Sequence, residues 1–396
     1  MGRRRHTAPQ GGRRCSAMSF FLIIFFLVYG AFHLYGFVKV RAAFSPGALA
    51  GACLAAFMIM MVLAPVVIRL SERAGAEGFA RFMSYVGYTW MGALLIFVCT
   101  SIIIDVLRLA LYGLAFVLEQ DWSSLVSAHK YFLLTSLAVS LAVVGYGYHE
   151  AGRIRMERVV IRTDKIPASP GKLRIVQISD VHIGLIVRKG RLEKIAKEIR
   201  KAEPDILVST GDLVDGQLDS VEALSGLLRA IDPPFGKFAV TGNHEYYAGL
   251  PRAIRFTEKA GFRVLRNESM TIPGVITIVG IDDAVGRNSS RDGGIDEKGL
   301  LVEGEGKVFT LLLKHRPVVN QGAAGLFDLQ LSGHTHKGQI FPFGFIVKLF
   351  FPALSGYYDL PGGSCLYVNR GVGTWGPPVR FLAPPEVTLI ELVRKR

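Results

Sequence analysis

The sequence predicts an α-helical transmembrane bundle followed by an α/β layered domain. Four long apolar stretches fill the first 150 residues, short apolar runs separated by helical stretches follow residue 170, and half of the 396 residues are apolar. That apolar share is high for a soluble chain.

The four stretches cover about 20–38, 48–70, 85–118 and 131–148. Each is long enough for a helix to cross a hydrocarbon core of ~30 Å. A cleavable leader would not be followed by three further spans. The third stretch exceeds one crossing and contains Asp105 and Arg108, an i,i+3 pair. Charges at membrane depth are often functional, but a helix leaving the bilayer near Ile104 would leave the pair in water.

The net charge of +14 is uneven: 17 Lys+Arg against 8 Asp+Glu up to residue 170, and 29 against 24 beyond it. Arg3, Arg4, Arg5, Arg13 and Arg14 precede the first span, Arg69, Arg73 and Arg81 lie around the second gap, and Arg153, Arg155, Arg158 and Arg162 follow the fourth. Glu119 and Asp121 lie in the gap after the third, while Lys39 and Arg41 run against the pattern. The positive-inside rule then puts both the N-terminus and the C-terminal domain in the cytoplasm, at the inner membrane if the source is bacterial. A start at Met18 would remove most of the first cluster. The basic excess therefore reads as topology, and no specific nucleic-acid partner is expected. Cys15, Cys53, Cys99 and Cys365 form no CxxC pair, so no disulfide framework or thiolate metal site is implied.

Residues 1–150 thus read as a membrane domain, 151–170, Arg-rich with Pro167 and Pro170, as a linker, and 171–396 as a catalytic domain. Within the last, strands are expected at 173–179, 205–210, 237–241, 275–281, 308–313, 329–332, 365–369 and 387–392, with helices at 189–202, 221–231 and 251–260. Strands alternating with helices imply a mostly buried sheet system.

The chemistry-bearing residues follow the expected strands in short polar blocks: Asp180-Val-His182, Gly211-Asp212, Gly242-Asn243-His244-Glu245, His315 and Gly333-His334-Thr335-His336. Strand-end loops are where α/β folds place ligands. Taken singly, an Asp-x-His or a Gly-Asp is an ordinary turn. Together, carboxylates, imidazoles and an amide oxygen form a mixed N/O donor set suited to two divalent ions such as Mn, Fe or Zn.

In this order the blocks resemble the calcineurin-like metallophosphoesterases, over about residues 171–393 and with no block missing. The extended sequences Ser332-Gly-His-Thr-His-Lys-Gly-Gln339 and Tyr367-Val-Asn-Arg-Gly-Val-Gly373 are similar to the membrane-associated branch. Lys337 stands where many relatives carry a small residue. The resemblance implies a layered β-sandwich flanked by helices. It implies that Asp180, His182 and His336 hold one metal, that Asn243, His315 and His334 hold the other, and that Asp212 bridges them. It leaves His244 to stabilise the transferring phosphoryl group or protonate the leaving oxygen, with Glu245 orienting its ring. Asp215 reads as either a helper of Asp212 or a helix-start carboxylate. Arg370 reads as a phosphate clamp or a solvated surface arginine.

The apolar run 340–352 beside the last block faces acyl chains or the bilayer, or else packs inside the protein. Three functions stay open. One is hydrolysis of a lipid-linked phosphodiester or pyrophosphate, as in the similar pyrophosphatases acting on UDP-diacylglucosamine. The others are a broad phosphodiesterase or nuclease on soluble substrates and a metal-stabilised module without activity.

Overall fold

The computed structural model describes residues 11–122, 127–216, 222–287, 296–303 and 308–395. Arg3, Arg4, Arg5 and Val221, the start of one expected helix, lie outside the described residues. The chain divides into two compact units, Met1–Val67 with Trp90–Val143, and Ile68–Thr89 with Val144–Arg396.

Helices α1 (Gly11–Phe44), α2 (Ala48–Arg73), α3 (Glu77–Val117) and α4 (His129–Ala151) take up the four apolar stretches. In a medium without water each backbone N–H and C=O must be satisfied internally, which a helix achieves within its own segment. All four are long and apolar enough to span a membrane. Large side chains point away from the protein, with Leu49 80% and Phe116 81% exposed. Such a surface suits lipid. At 41 residues α3 is about 60 Å long by the helical rise, and its turns up to Thr89 belong to the second unit. In the first unit Tyr29, Leu94, Phe97, Val98 and Leu133 form the buried centre. Asp105 is more than an i,i+3 partner of Arg108: it accepts from Tyr35 Oη at 2.7 Å and pairs with Lys39, so it ties α1 to α3.

The second unit holds two six-stranded sheets. In the first, β1 (Arg155–Thr163), β2 (Lys172–Ile178), β3 (Ile206–Ser209), β4 (Lys237–Ala239), β5 (Arg263–Val264) and β12 (Glu386–Arg394) run in the order β1-β12-β2-β3-β4-β5. In the second, β6 (Glu268–Ile272), β7 (Ile276–Ile281), β8 (Phe309–Lys314), β9 (Leu329–Ser332), β10 (Gly356–Asp359) and β11 (Cys365–Val368) run β10-β11-β9-β8-β7-β6. The helices are α5 (Lys189–Lys201), α6 (Ser225–Arg229), α7 (Asn243–Ala248), α8 (Leu250–Lys259), α9 (Ala284–Arg287), α10 (Glu297–Glu303) and α11 (Gly344–Phe350).

Strand alternation sorts the apolar residues into layers. Leu173 and Ile175 of β2, Ile206 and Val208 of β3, Ile276 and Ile278 of β7, and Phe309, Leu311 and Leu313 of β8 fill the space between the sheets. The opposite faces of β2 and β3 send Val176, Ile178 and Leu207 against Leu192, Ile195 and Ile199 of α5 and Phe256 of α8. Val279 and Leu312 pack outward from the second sheet onto Leu301. The result is the expected layered sandwich.

The reading of 151–170 as a linker is corrected by β1, which pairs in parallel with β12 from Arg155↔Glu386 to Thr163↔Arg394. Arg158, Val160 and Arg162 share the exposed face, while Val159 and Ile161, two residues apart on the other face, pack on the inter-sheet core. The expected helix at 221–231 is a 3₁₀ turn (Glu222–Leu224) followed by the short α6.

The register of β1 gives a direct test. Val159→Asp should lower the apparent Tm in detergent by several degrees, because it brings a charge to the inter-sheet core, whereas Val160→Asp, at a position 51% exposed, should change stability by no more than about 0.5 kcal/mol. Equal tolerance of both would contradict the register.

Candidate metal centre

The site is built where parallel strands of both sheets end. Asp180 and His182 follow β2, Asp212 follows β3, and Asn243, His244 and Glu245 open α7 after β4. His315 follows β8, and His334 and His336 follow β9. Since β2, β3 and β4 are adjacent and parallel, as are β8 and β9, their C-terminal ends deliver these blocks to one place.

The backbone is strained to do so. Asp180, His182, Asp212, His334 and His336 have φ of 52°, 53°, 51°, 71° and 48°, a region that costs a non-glycine residue on the order of 1–3 kcal/mol. Such residues cluster where function over-determines geometry. Two glycines permit the close approach: a Cβ at Gly242 would collide with the Asp212 carboxylate, and one at Gly333 with Ser179 and Asp180.

Among the described residues, three groups of donor atoms come within 4.8 Å of one another: Asp180, His182 and His336; Asp212, His315 and His334; and His182, Asp212 and His244. His182 Nε2 lies 3.1 Å from His336 Nε2, and His334 Nδ1 lies 3.1 Å from His315 Nε2. Nitrogen lone pairs that close repel unless a proton or cation lies between them. Asp212 Oδ2 is 3.1 Å from His315 Nε2 and 3.9 Å from His182 Nε2, so one carboxylate oxygen faces both sides of the site. His315 Nδ1 lies 2.8 Å from Thr210 O, which leaves Nε2 turned inward, as a second-sphere bond to a ligating imidazole does. Asn243 Oδ1 is buried with no hydrogen-bond partner among the described residues. An orphaned amide oxygen among imidazoles and carboxylates fits a divalent cation.

Burial opposes charge throughout. It pushes His182 and His334 down to about 3, helped by the neighbouring His244 and His315 respectively. It also works against ionising Asp212, but His315 and His244 outweigh it and hold this carboxyl well below the usual range. Asp180 is lowered in the same way, against burial, by His336. Against burial too, Asp212 raises His315 to about 10 and, with Asp215, His244 to about 9. Two carboxylates buried this deeply stay ionised only beside positive charge, a requirement that dications satisfy.

His244 stands apart from the other imidazoles: its Nδ1 lies 2.9 Å from Asp215 Oδ1, and its backbone N–H donates to Asp212 Oδ1 at 2.8 Å. The ring meets His182 edge-on and has Trp375, 52% exposed, at 5.9 Å. Asp215 is therefore the residue that orients His244, not Glu245 and not a helix-start cap. Glu245 accepts instead from the backbone N–H groups of Gly242 (2.7 Å), Leu213 (2.8 Å), Asp212 (3.0 Å) and Val214 (3.4 Å), tying the loop after β3 to the turn after β4. Arg370 is neither a phosphate clamp nor a solvated arginine, since its guanidinium pairs with Glu157 and Glu386. Sequence reasoning missed Arg380, fully buried, with Nη2 3.1 Å from His336 Nδ1 and bonds to the carbonyls of Gly373, Arg370 and Ala383. Nothing in its local sequence signals this.

Fold and donor set together define a metal-dependent α/β enzyme, and comparison with known proteins identifies the family. A family model described as calcineurin-like phosphoesterase matches residues 173–338. An uncharacterized metallophosphoesterase of Aquifex aeolicus is 39% identical over 258 residues, 65% of this chain and 98% of that protein. One from Helicobacter pylori is 34% identical over 303 residues, 74% of this chain and 80% of that protein. A bovine transmembrane protein with metallophosphoesterase domain is 29% identical over 327 residues, covering 78% and 73%. The chain belongs to the calcineurin-like metallophosphoesterase family and is a hydrolase of phosphoric esters; among the described residues four helices are long and apolar enough to span a membrane.

Glu245→Gln tests the reassigned role. A glutamine offers one acceptor oxygen where four N–H donors converge, leaving about two of them unpaired at roughly 1–3 kcal/mol each. The variant should lose both thermal stability and bound metal, read by unfolding in detergent and by elemental analysis. Full metal content with reduced turnover alone would restore the ring-orienting role.

Proposed function

We propose that this membrane phosphoesterase uses two divalent ions to hydrolyse a phosphodiester or pyrophosphate bond of a lipid-linked substrate, with its catalytic unit on the cytoplasmic face. Asp180, His182 and His336 would hold one ion and Asn243, His315 and His334 the other, with Asp212 between them. When bound, the ions supply positive charge that polarises the phosphoester and neutralises charge developing in an in-line displacement. His244, held by Asp215, protonates the leaving oxygen; because Nδ1 is engaged, Nε2 is the atom available for it.

The observation that carries the lipid reading is α11. Among its seven residues none is buried, and Phe345, Leu349 and Phe350 are 65%, 81% and 74% exposed. The helix is joined to the donor cluster: Phe351, one residue past it, stacks edge-on against His334 at 4.9 Å, and Thr335 Oγ1 donates to Leu354 O at 2.6 Å. It is also joined to the end of α4: Phe341 N bonds Phe381 O, and Arg380 N bonds Gly147 O at 3.0 Å. An apolar helix between a hydrolytic site and a spanning segment suits acyl chains better than water. Orientation is supported by the arginines around the α2–α3 turn and after α4. Both regions belong to the catalytic unit.

Asp212→Asn should abolish nearly all turnover and deplete metal, whereas His244→Ala should keep its metals and lose roughly 10²–10⁴-fold in kcat. Loss of metal from the His244 variant would overturn that assignment. Phe345→Asp with Leu349→Asp should impair hydrolysis of nucleotide-lipids or phospholipids in vesicles far more than that of a soluble nitrophenyl diester. Equal effects on both would favour a soluble substrate. A C-terminal alkaline-phosphatase fusion should be inactive, and an active fusion would reverse the orientation.

A further inference from the structure

The ends of α2 and α3 on either side of their connecting turn touch three segments of the site. Glu72, its side chain 10% exposed, rests against Gly216: a Cβ there would collide with Glu72 Oε1, and Gly216 has φ 69°. Arg69 Nη1 pairs with Glu72 Oε2 at 2.8 Å while its Nη2 donates to Tyr247 O at 3.5 Å, three residues past His244. Glu77 Oε1 pairs with Arg188 Nη2 at 2.7 Å, and Tyr85 Oη donates to Ile186 O at 3.4 Å, in the segment that follows His182. All of these residues belong to the catalytic unit.

The loop that the turn meets is the one that carries Asp215. Its N–H donates to Ile183 O at 2.8 Å, and Leu213 and Val214 are held by Glu245. Gly216 is therefore braced from the other side by Glu72, with Asp215 between the two fixed points. From Asp215 the constraint passes to His244 Nδ1.

We propose that the α2–α3 turn is a positioning element of the catalytic machinery: Glu72, aligned by Arg69, fixes the Asp215–Gly216 segment and so holds His244 at the angle its proton transfer needs. The spanning helices then contribute to turnover as well as to anchoring. A misplaced acid loses rate steeply with distance. The inference rests on His244 as proton donor, and one arm of the test does not.

The full-length protein carrying Glu72→Ala should show a kcat on a nitrophenyl diester reduced roughly 10-fold, with KM and bound metal unchanged. In a His244→Ala background the same substitution should cost nothing further, because the residue it acts through is gone. Gly216→Ala, which pushes on the contact from the opposite side, should show the same non-additivity. Independently of turnover, amide exchange across Leu213–Gly216 should quicken in Glu72→Ala. Equal losses in both backgrounds, loss of metal, or unchanged kcat with unchanged exchange would each overturn the proposal. Quickened exchange with full activity would show a brace that catalysis does not use, and would also overturn it.

Discussion

Burying the charge of Asp212 is the constraint around which the catalytic unit is arranged. Its carboxylate is 2% exposed at the seam between two sheets, so it needs both hydrogen-bond donors and positive charge. The His244 N–H supplies one donor, and imidazoles from just after β8 and from the loop after β2 approach as well. Those partners come from strands far apart in sequence, which is why the two sheets must stack in register. The inter-sheet core of Ile175, Val208, Ile278 and Leu311 provides that rigidity. It also offsets the five left-handed backbones at the site, each of them unfavourable alone.

Glu245 is the second buried carboxylate to which this geometry is owed. With four backbone donors it needs no cation, yet burial and the nearby Asp212 raise it to about 7. It joins the loop bearing Asp212 and Asp215 to the turn bearing Asn243 and His244. Asn243 and His244, which face the donor cluster, and Glu245, which keeps their loops together, are thus neighbours in sequence with different surroundings.

The interior of the fold was legible in the sequence and its margins were not. All eight expected strands exist, because each is a short apolar run buried on both faces. The four unforeseen ones, β1, β5, β6 and β10, are the four sheet edges. Edge strands are short, polar or charged, so they lack the apolar signal. The donor blocks were legible because polar clusters at strand ends are rare and ordered. The direction of Glu245 was hidden by treating it as His244's neighbour. A signal did exist: a Glu at the third position of a helix returns to the N-cap backbone, here Gly242 N. Asp215 could not be assigned from sequence, since its role depends on the loop after β3 meeting His244 at the start of α7, a contact between residues 29 apart in the chain. The pairing of Arg370 with Glu157 depended on β1, itself unforeseen.

The α2–α3 turn and the end of α4 both belong to the catalytic unit. The apolar α11 is linked to that end of α4 through Phe381 and Gly147. On the proposed lipid reading, a site held near a bilayer would meet a membrane-confined ester at high effective concentration, whereas a soluble ester would gain little. The same unit carries the helix ends flanking the α2–α3 turn, whose Arg69, Glu72, Glu77 and Tyr85 reach Tyr247, Gly216, Arg188 and Ile186 in the segments that bear His244, Asp215 and His182.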